Sequence, residues 1–284
     1  MKLATFTIAE EPELAAVDGA SVIPLSRPAP LAADMIDLIA RWPELASEVR
    51  RRVEAGRDAI PLDQVRLLAP IARPGKIMAI GLNYADHIAE SGLPKPEQQV
   101  WFCKQPSAVN GPFDPIQIPK VSNTVDYEAE LVAVIGVRAK HVTRDAAPKA
   151  VFGYCVGNDV SERTWQRHTP QWVLGKSFDT HAPFGPWITT ADELGDPHGY
   201  AIRCLVNGEV RQNSNTAQLV FNVWDQIEHL SKAMTLEPGD IIYTGTPGGV
   251  GAAMKPPQFL RPGDRVRCEI EGLGAIEATC ELEA

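Results

Sequence analysis

Glu130-Leu131-Val132-Ala133-Val134-Ile135-Gly136-Val137 is the stretch on which the fold class turns. It is short, almost continuously apolar, rich in Val and carries a glycine near its end, which reads as a strand. Similar runs lie on either side: KIMAIGL from Lys76, FGYCVGND from Phe152, YAIRCLVNG from Tyr200 and DIIYTG from Asp240. RVRCEIEG from Arg265 and AIEATCEL from Ala275 complete the set; Gly272 and Gly274 between them predict a hairpin. Pro-Gly-Asp turns at 238–240 and 262–264 each launch a late strand. One long helix is predicted between Thr216 and Met234, where Leu219, Val223, Ile227 and Leu230 share a face. So few helices cannot alternate with so many strands, so the fold class is α+β, predominantly β.

Residues 1–72 differ in texture and predict a small N-terminal α/β domain, with the larger domain spanning 73–284. A strand from Leu3 to Ile8 precedes turn-rich sequence and then two short helices. The first runs from Asp34, a fitting N-cap, to Arg41; the second carries Leu45, Val49 and Val53 and stops at Gly56. Pro61, Pro70 and Pro74 mark the exit.

The chain has 284 residues, a formal charge of -9 and a pI near 5.2, an acidic balance that argues against nucleic acid and anionic membranes as partners. Its five cysteines (103, 155, 204, 268 and 280) form no C-x-x-C pair, which fits thiols in a reducing compartment. The amino terminus lacks the apolar core of a signal peptide, and no run nears the ~20 apolar residues of a membrane span. Cytoplasm is the expected location.

Chemistry concentrates just upstream of the opening strand, in Asp126-Tyr127-Glu128-Ala129-Glu130. Alternation along a strand points Glu128 and Glu130 the same way, with Val132 and Val134 continuing that face inward. A cation would relieve the repulsion of such a pair, although spacing alone fits a solvated strand end better. Asp159 follows the strand Val151–Val156; it could join the pair or cap the next turn. Three oxygen ligands without Cys or paired His would select a hard ion, Mg²⁺ or Mn²⁺.

In Gly81-Leu82-Asn83-Tyr84-Ala85-Asp86-His87-Ile88-Ala89-Glu90-Ser91-Gly92, a short helix would set His87 and Glu90 on one face. A carboxylate beside imidazole suits a water-activating base, and the flanking glycines suit a segment that opens and closes, although the spacing by itself fits an ordinary exposed pair on a surface helix better. Gly175-Lys176-Ser177 is not a phosphate loop, because Pro170 stands where the earlier glycine is needed. Lys176 between apolar residues fits a partly buried cation. Thr244–Gly251 is glycine-rich, but Pro247 breaks a nucleotide-fold reading and leaves a loop of backbone N–H groups with a Thr hydroxyl.

In order, GLNYADHIAESG, DYEAELVAVIG, NDVSERTWQ, LGKSFDT, NGEVRQNSNTAQLVF, PGDIIYTGTPGGVG and PGDRVRCEIEGLG closely resemble the fumarylacetoacetate hydrolase family. The resemblance spans residues 75 to 282. It implies the family's mixed β-roll, a homodimer, and Glu128, Glu130 and Asp159 as ligands of Mg²⁺ or Mn²⁺. It implies His87 and Glu90 as the dyad that activates water, and Lys176 as the group that stabilises a developing oxyanion or enolate. Gln166 and Thr246 match positions that hold the substrate's oxo-acid end. The implied reaction is hydrolysis of a carbon–carbon bond in a 2,4-dioxo acid, an acylpyruvate or a 2,4-diketo-3-deoxy sugar acid, to pyruvate and a second acid. The alternative is decarboxylation, tautomerisation or isomerisation of an oxo acid such as oxaloacetate at the same site. Leu82 stands where acylpyruvate-cleaving members commonly carry arginine, which disfavours a diacidic acylpyruvate.

Overall fold

The computed structural model describes residues 1–92 and 94–284, with Ser91 described by its backbone alone. Its strands form a twelve-stranded sheet, a five-stranded sheet and a short ribbon, a mostly β architecture of the α+β class. The opening stretch of the sequence is the strand Ala129–Ile135, and every residue of it is buried. It lies between Val151–Asn158 and Ile241–Tyr243, antiparallel to both. Ile77–Gly81 runs parallel to Ile241–Tyr243, and Val100–Lys104 closes that edge.

The two faces of the central strand feed two cores, as the alternation of side chains requires. Leu131, Ala133 and Ile135 pack with Tyr154 and Val156 against Ile202, Cys204, Val266, Cys268 and Ile270 of the five-stranded sheet. Val132 and Val134 pack the other way, with Phe184, Ile188 and Tyr243, beneath Leu38, Ile39, Leu45 and Val49 from the N-terminal helices. Those helices are Met35–Ala40 and Trp42–Ala55; Asp34 caps the first through the Asp37 N–H, and Gly56 closes the second at φ 57°.

The sheet runs on across the expected 72/73 boundary: Lys2 and Leu3 pair with Thr189 and Ile188, bringing the N-terminal strands into the larger sheet. The Pro-Gly-Asp turns launch Ile241–Tyr243 and Arg265–Ile270 as expected, and the last two strands form the hairpin. The long helix starts later than its apolar spacing suggests. It spans Val223–Ala233, because Asn222 caps it and forms a reciprocal capping box with Asp225. Thr216–Gln218 is instead a separate 3-10 turn, and Leu219 bridges to Tyr84 as backbone. Among the described residues, no helix is long and apolar enough to cross a membrane.

Candidate active site

The pairing registers bring four chain segments to one end of the large sheet: the exit of Ile77–Gly81, the entry to Ala129–Ile135, and the exits of Val151–Asn158 and Ile241–Tyr243. A cavity of about 440 Å³ opens there. Glu128, Glu130, Lys176, Gln166, Thr246, His87 and Glu90 all line it. Asp159, fully buried, lies beneath and reaches Lys176.

Buried ion pairs make up the cavity floor. The Asp159 N–H donates to the Glu128 carbonyl at 2.8 Å, and the Glu128 N–H donates to the Asn158 side chain at 2.9 Å, which fixes the two acids side by side. Lys176 Nζ donates to Glu128 Oε2 at 2.8 Å and to Asp159 Oδ2 at 2.7 Å. The other Asp159 oxygen accepts from Lys104 Nζ at 2.5 Å, and Glu128 Oε1 lies 2.6 Å from Arg163 Nη1. Arg163 also pairs with the buried Asp126 at 2.9 Å. Burial would push the Glu128 carboxyl up, but Lys176 and Arg163 outweigh it and bring its pKa down to about 2. Burial likewise favours a neutral Lys176; Asp159 and Glu128 reverse that, holding its ammonium above the usual lysine value.

Among the described residues Glu130 makes no ion pair. Its Oε2 accepts a single backbone N–H, from Gly245 at 2.7 Å. Burial, then the Asp159 and Glu128 charges, push its carboxyl well above the ordinary range. One oxygen from each of Glu128, Glu130 and Asp159 lies within 4.8 Å of the others. An all-carboxylate donor set with one member left electrostatically unrelieved fits a hard divalent cation. In this cluster the four acids Asp126, Glu128, Glu130 and Asp159 face three bases, Lys104, Arg163 and Lys176, so a divalent ion would turn the balance positive and suit an anionic ligand.

Lys176 is held in place by its glycine neighbour. A Cβ on Gly175 would lie 2.2 Å from the Gln166 nitrogen, so only glycine lets this loop close on the helix Arg163–Arg167. The Gly175 carbonyl then accepts the Glu162 N–H at 2.8 Å. Gln166 accepts from Arg163 at 3.0 Å through its oxygen, leaving its amide donors uncommitted. Thr246 donates its hydroxyl to the Ala129 carbonyl at 2.9 Å and accepts from buried Gln212 at 2.8 Å. The structure thus brings Thr246 to the cavity with its own proton already engaged.

The rim is the helix Ala85–Ser91, where His87 Nδ1 sits 3.4 Å from Glu90 Oε2. Glu90 accepts from the Gly249 N–H, while Asp86 accepts from the Gly248 N–H and the Ser214 hydroxyl, so the helix is docked on the glycine-rich loop. Buried Asn83 clasps both neighbours, donating to the Phe221 and Thr244 carbonyls at 2.9 and 2.7 Å. Leu82 adopts φ 54°, a left-handed backbone that costs a non-glycine residue roughly 1–2 kcal/mol, and it lines the cavity wall.

Sequence reasoning passed over Lys104, Asp126, Arg163 and Gln212. Asp126 and Arg163 lie inside motifs read for their neighbours, and Lys104 ends an otherwise apolar strand, VWFCK. A cation closing an apolar strand was the available signal.

A mostly β fold with a carboxylate cluster backed by lysine at one sheet end belongs to a known class. The chain is a member of the fumarylacetoacetate hydrolase family, whose model, described as Fumarylacetoacetate (FAA) hydrolase C-terminal, matches residues 76–281. Over 262 residues it is 46% identical to a Bos taurus protein named oxaloacetate tautomerase FAHD2A, mitochondrial, covering 91% of this chain and 83% of that protein. Among solved structures it is similar over the full length of both chains to fumarylacetoacetate hydrolase from psychrophilic Exiguobacterium antarcticum, with 35% identity and a TM-score of 0.88. It is likewise similar to maleylpyruvate hydrolase from Sphingobium sp. SYK-6 in complex with manganese(II) ion and pyruvate, with 33% identity, a TM-score of 0.85 and full coverage of both chains.

Proposed function

We propose that the protein is a divalent-metal enzyme that interconverts the keto and enol forms of a short 2-oxo dicarboxylic acid, oxaloacetate foremost. The carrying observation is the buried Glu128–Glu130–Asp159 cluster beside the pinned ammonium of Lys176. The 46% identity to a protein named for oxaloacetate tautomerisation supports this choice of reaction over others at such a site. Mg²⁺ or Mn²⁺ held by the three carboxylates would supply Lewis-acid polarisation of the 2-oxo group. Lys176, kept protonated, stabilises negative charge growing on that oxygen. His87, oriented by Glu90, takes the C3 proton while the oxygen gains one, so protons and electrons balance.

Stopped-flow decay of enol absorbance, with Mg²⁺, Mn²⁺ and EDTA arms and pyruvate measured in the same mixture, tests this. Metal-dependent acceleration without matching pyruvate is the expected result; decay at the buffer rate in every arm would sink the reading. A second reading, hydrolysis of a 2,4-dioxo acid, is favoured by the His87–Glu90 contact, since such a dyad can equally deprotonate water. It is also the chemistry in the name of the Sphingobium neighbour. Stoichiometric pyruvate and a second acid from an acylpyruvate or diketo-deoxy sugar acid would move the assignment there. The proposal includes a homodimer in an aqueous, reducing compartment, with cytoplasm or, as in the bovine relative's name, a mitochondrion as its setting.

A further inference from the structure

The cations of the floor are all engaged: Lys176 and Arg163 on Glu128, and Lys104 on Asp159. Arg167 is different. It ends the helix Arg163–Arg167, lines the same cavity and is exposed, and among the described residues its guanidinium has neither a hydrogen bond nor an ion pair. Apart from the floor and the His87–Glu90 pair, the lining offers only uncharged groups, chiefly Ile80, Leu82, Trp172, Val250, Ala252 and Ala253. A ligand with a second anionic group would meet one uncommitted positive charge in this cavity. A carboxylate moved from water against apolar walls requires such a partner, and a guanidinium fork meets both its oxygens.

We propose that Arg167 binds the second carboxylate of a dicarboxylic 2-oxo acid and thereby sets the preference for dicarboxylates over their methyl-ended counterparts. This deepens the oxo-acid reading and rests on it. The floor holds the reacting end, and Arg167 reads the far end.

Calorimetric titration of metal-loaded protein with a matched pair, 2-oxoglutarate and 2-oxopentanoate, separates the two ends without requiring turnover. Arg167→Met should weaken 2-oxoglutarate by about 10- to 30-fold, the range of a charge-assisted pair at a partly wet site. It should leave 2-oxopentanoate within about twofold, and Arg167→Lys should fall between. Equal weakening of both acids, or undiminished 2-oxoglutarate binding, overturns the proposal. A lowered melting temperature with no change in the preference overturns it too, leaving Arg167 as a cation for its helix end. Lost dicarboxylate preference in a wild type that still enolises oxaloacetate condemns only the role of Arg167. Preserved preference without enolisation condemns only the reaction assignment.

Discussion

The floor and the rim of the cavity are held by different forces. On the floor, Glu128 and Asp159 each place both oxygens on buried cations, deep in a sheet with two covered faces. On the rim, His87 and Glu90 meet on a seven-residue helix with side chains 16% and 29% exposed, held by backbone N–H groups of a glycine-rich loop. Buried ion pairs are costly to break singly, whereas exposed contacts add little to stability. Under the proposed mechanism the floor would couple chemistry to folding, and the rim would carry chemistry that folding does not need.

Asp159→Asn should break this comparison most severely. It leaves Lys104 without its carboxylate in a buried site, at a cost of about 3–5 kcal/mol read from urea denaturation. Glu130→Gln is its foil. Glu130 is repelled by its neighbours, so neutralising it should leave metal-free stability unchanged or raised, while Mn²⁺ affinity falls by at least about tenfold. A Glu130 variant as unstable as the Asp159 one would remove the distinction drawn here between the two acids.

Next in size is a pH effect from His181, fully buried with Nε2 donating to the Gln117 carbonyl at 2.9 Å. Burial, with Lys104 adding to it, depresses its pKa from 6.5 to about 3. The unfolded chain then binds the extra proton first, so stability is full above about pH 6.5 and falls as the pH drops toward 3. Down to about pH 4 the loss should be about 3 kcal/mol, at about 1.36 kcal/mol per pKa unit. His181→Gln should flatten that segment of the stability profile, and an unchanged slope would assign the acid sensitivity to the carboxylates.

Lys176→Met should cost less stability, about 1–3 kcal/mol, because Glu128 keeps Arg163 and Asp159 keeps Lys104. Its activity should nevertheless fall by about 10²–10³-fold, the scale for losing a preorganised charge at a developing oxyanion. Comparing denaturation midpoints with enol-decay rates on the same preparation checks both.

Legibility in the sequence followed the same divide. Strands announced themselves through apolar runs such as that from Glu130, punctuated by the Pro-Gly-Asp turns, and Gly56 marked the end of a helix. The Val223 start of the long helix escaped because the capping box at Asn222 competes with an apolar spacing that continues upstream to Leu219. Single motifs were ambiguous about chemistry; their order was what pointed to the family. Long-range partners were invisible: nothing local to Lys104 tells that it meets an acid 55 positions later, or that Gln212 locks Thr246. Pairing across a sheet is set by register, which no local pattern encodes.

His87→Ala is the smallest perturbation of the fold and the sharpest test of the rim. Removing a partly exposed imidazole whose ring, among the described residues, has as its one hydrogen-bonding contact a 3.4 Å approach to Glu90 should change stability by less than about 0.5 kcal/mol. Turnover should still fall by about 10²–10⁴-fold, the contribution of a positioned acid–base group. That pairing of outcomes is what separates the rim from the ion-paired floor residues Asp159 and Lys176, whose substitution should lower activity and stability together. If the variant keeps full enol decay but loses pyruvate release from a 2,4-dioxo acid, His87 serves water attack and the enolising proton moves through another group. If both activities survive, the rim helix closes the cavity without joining the reaction, and the chemistry belongs to Lys176 and the carboxylates alone.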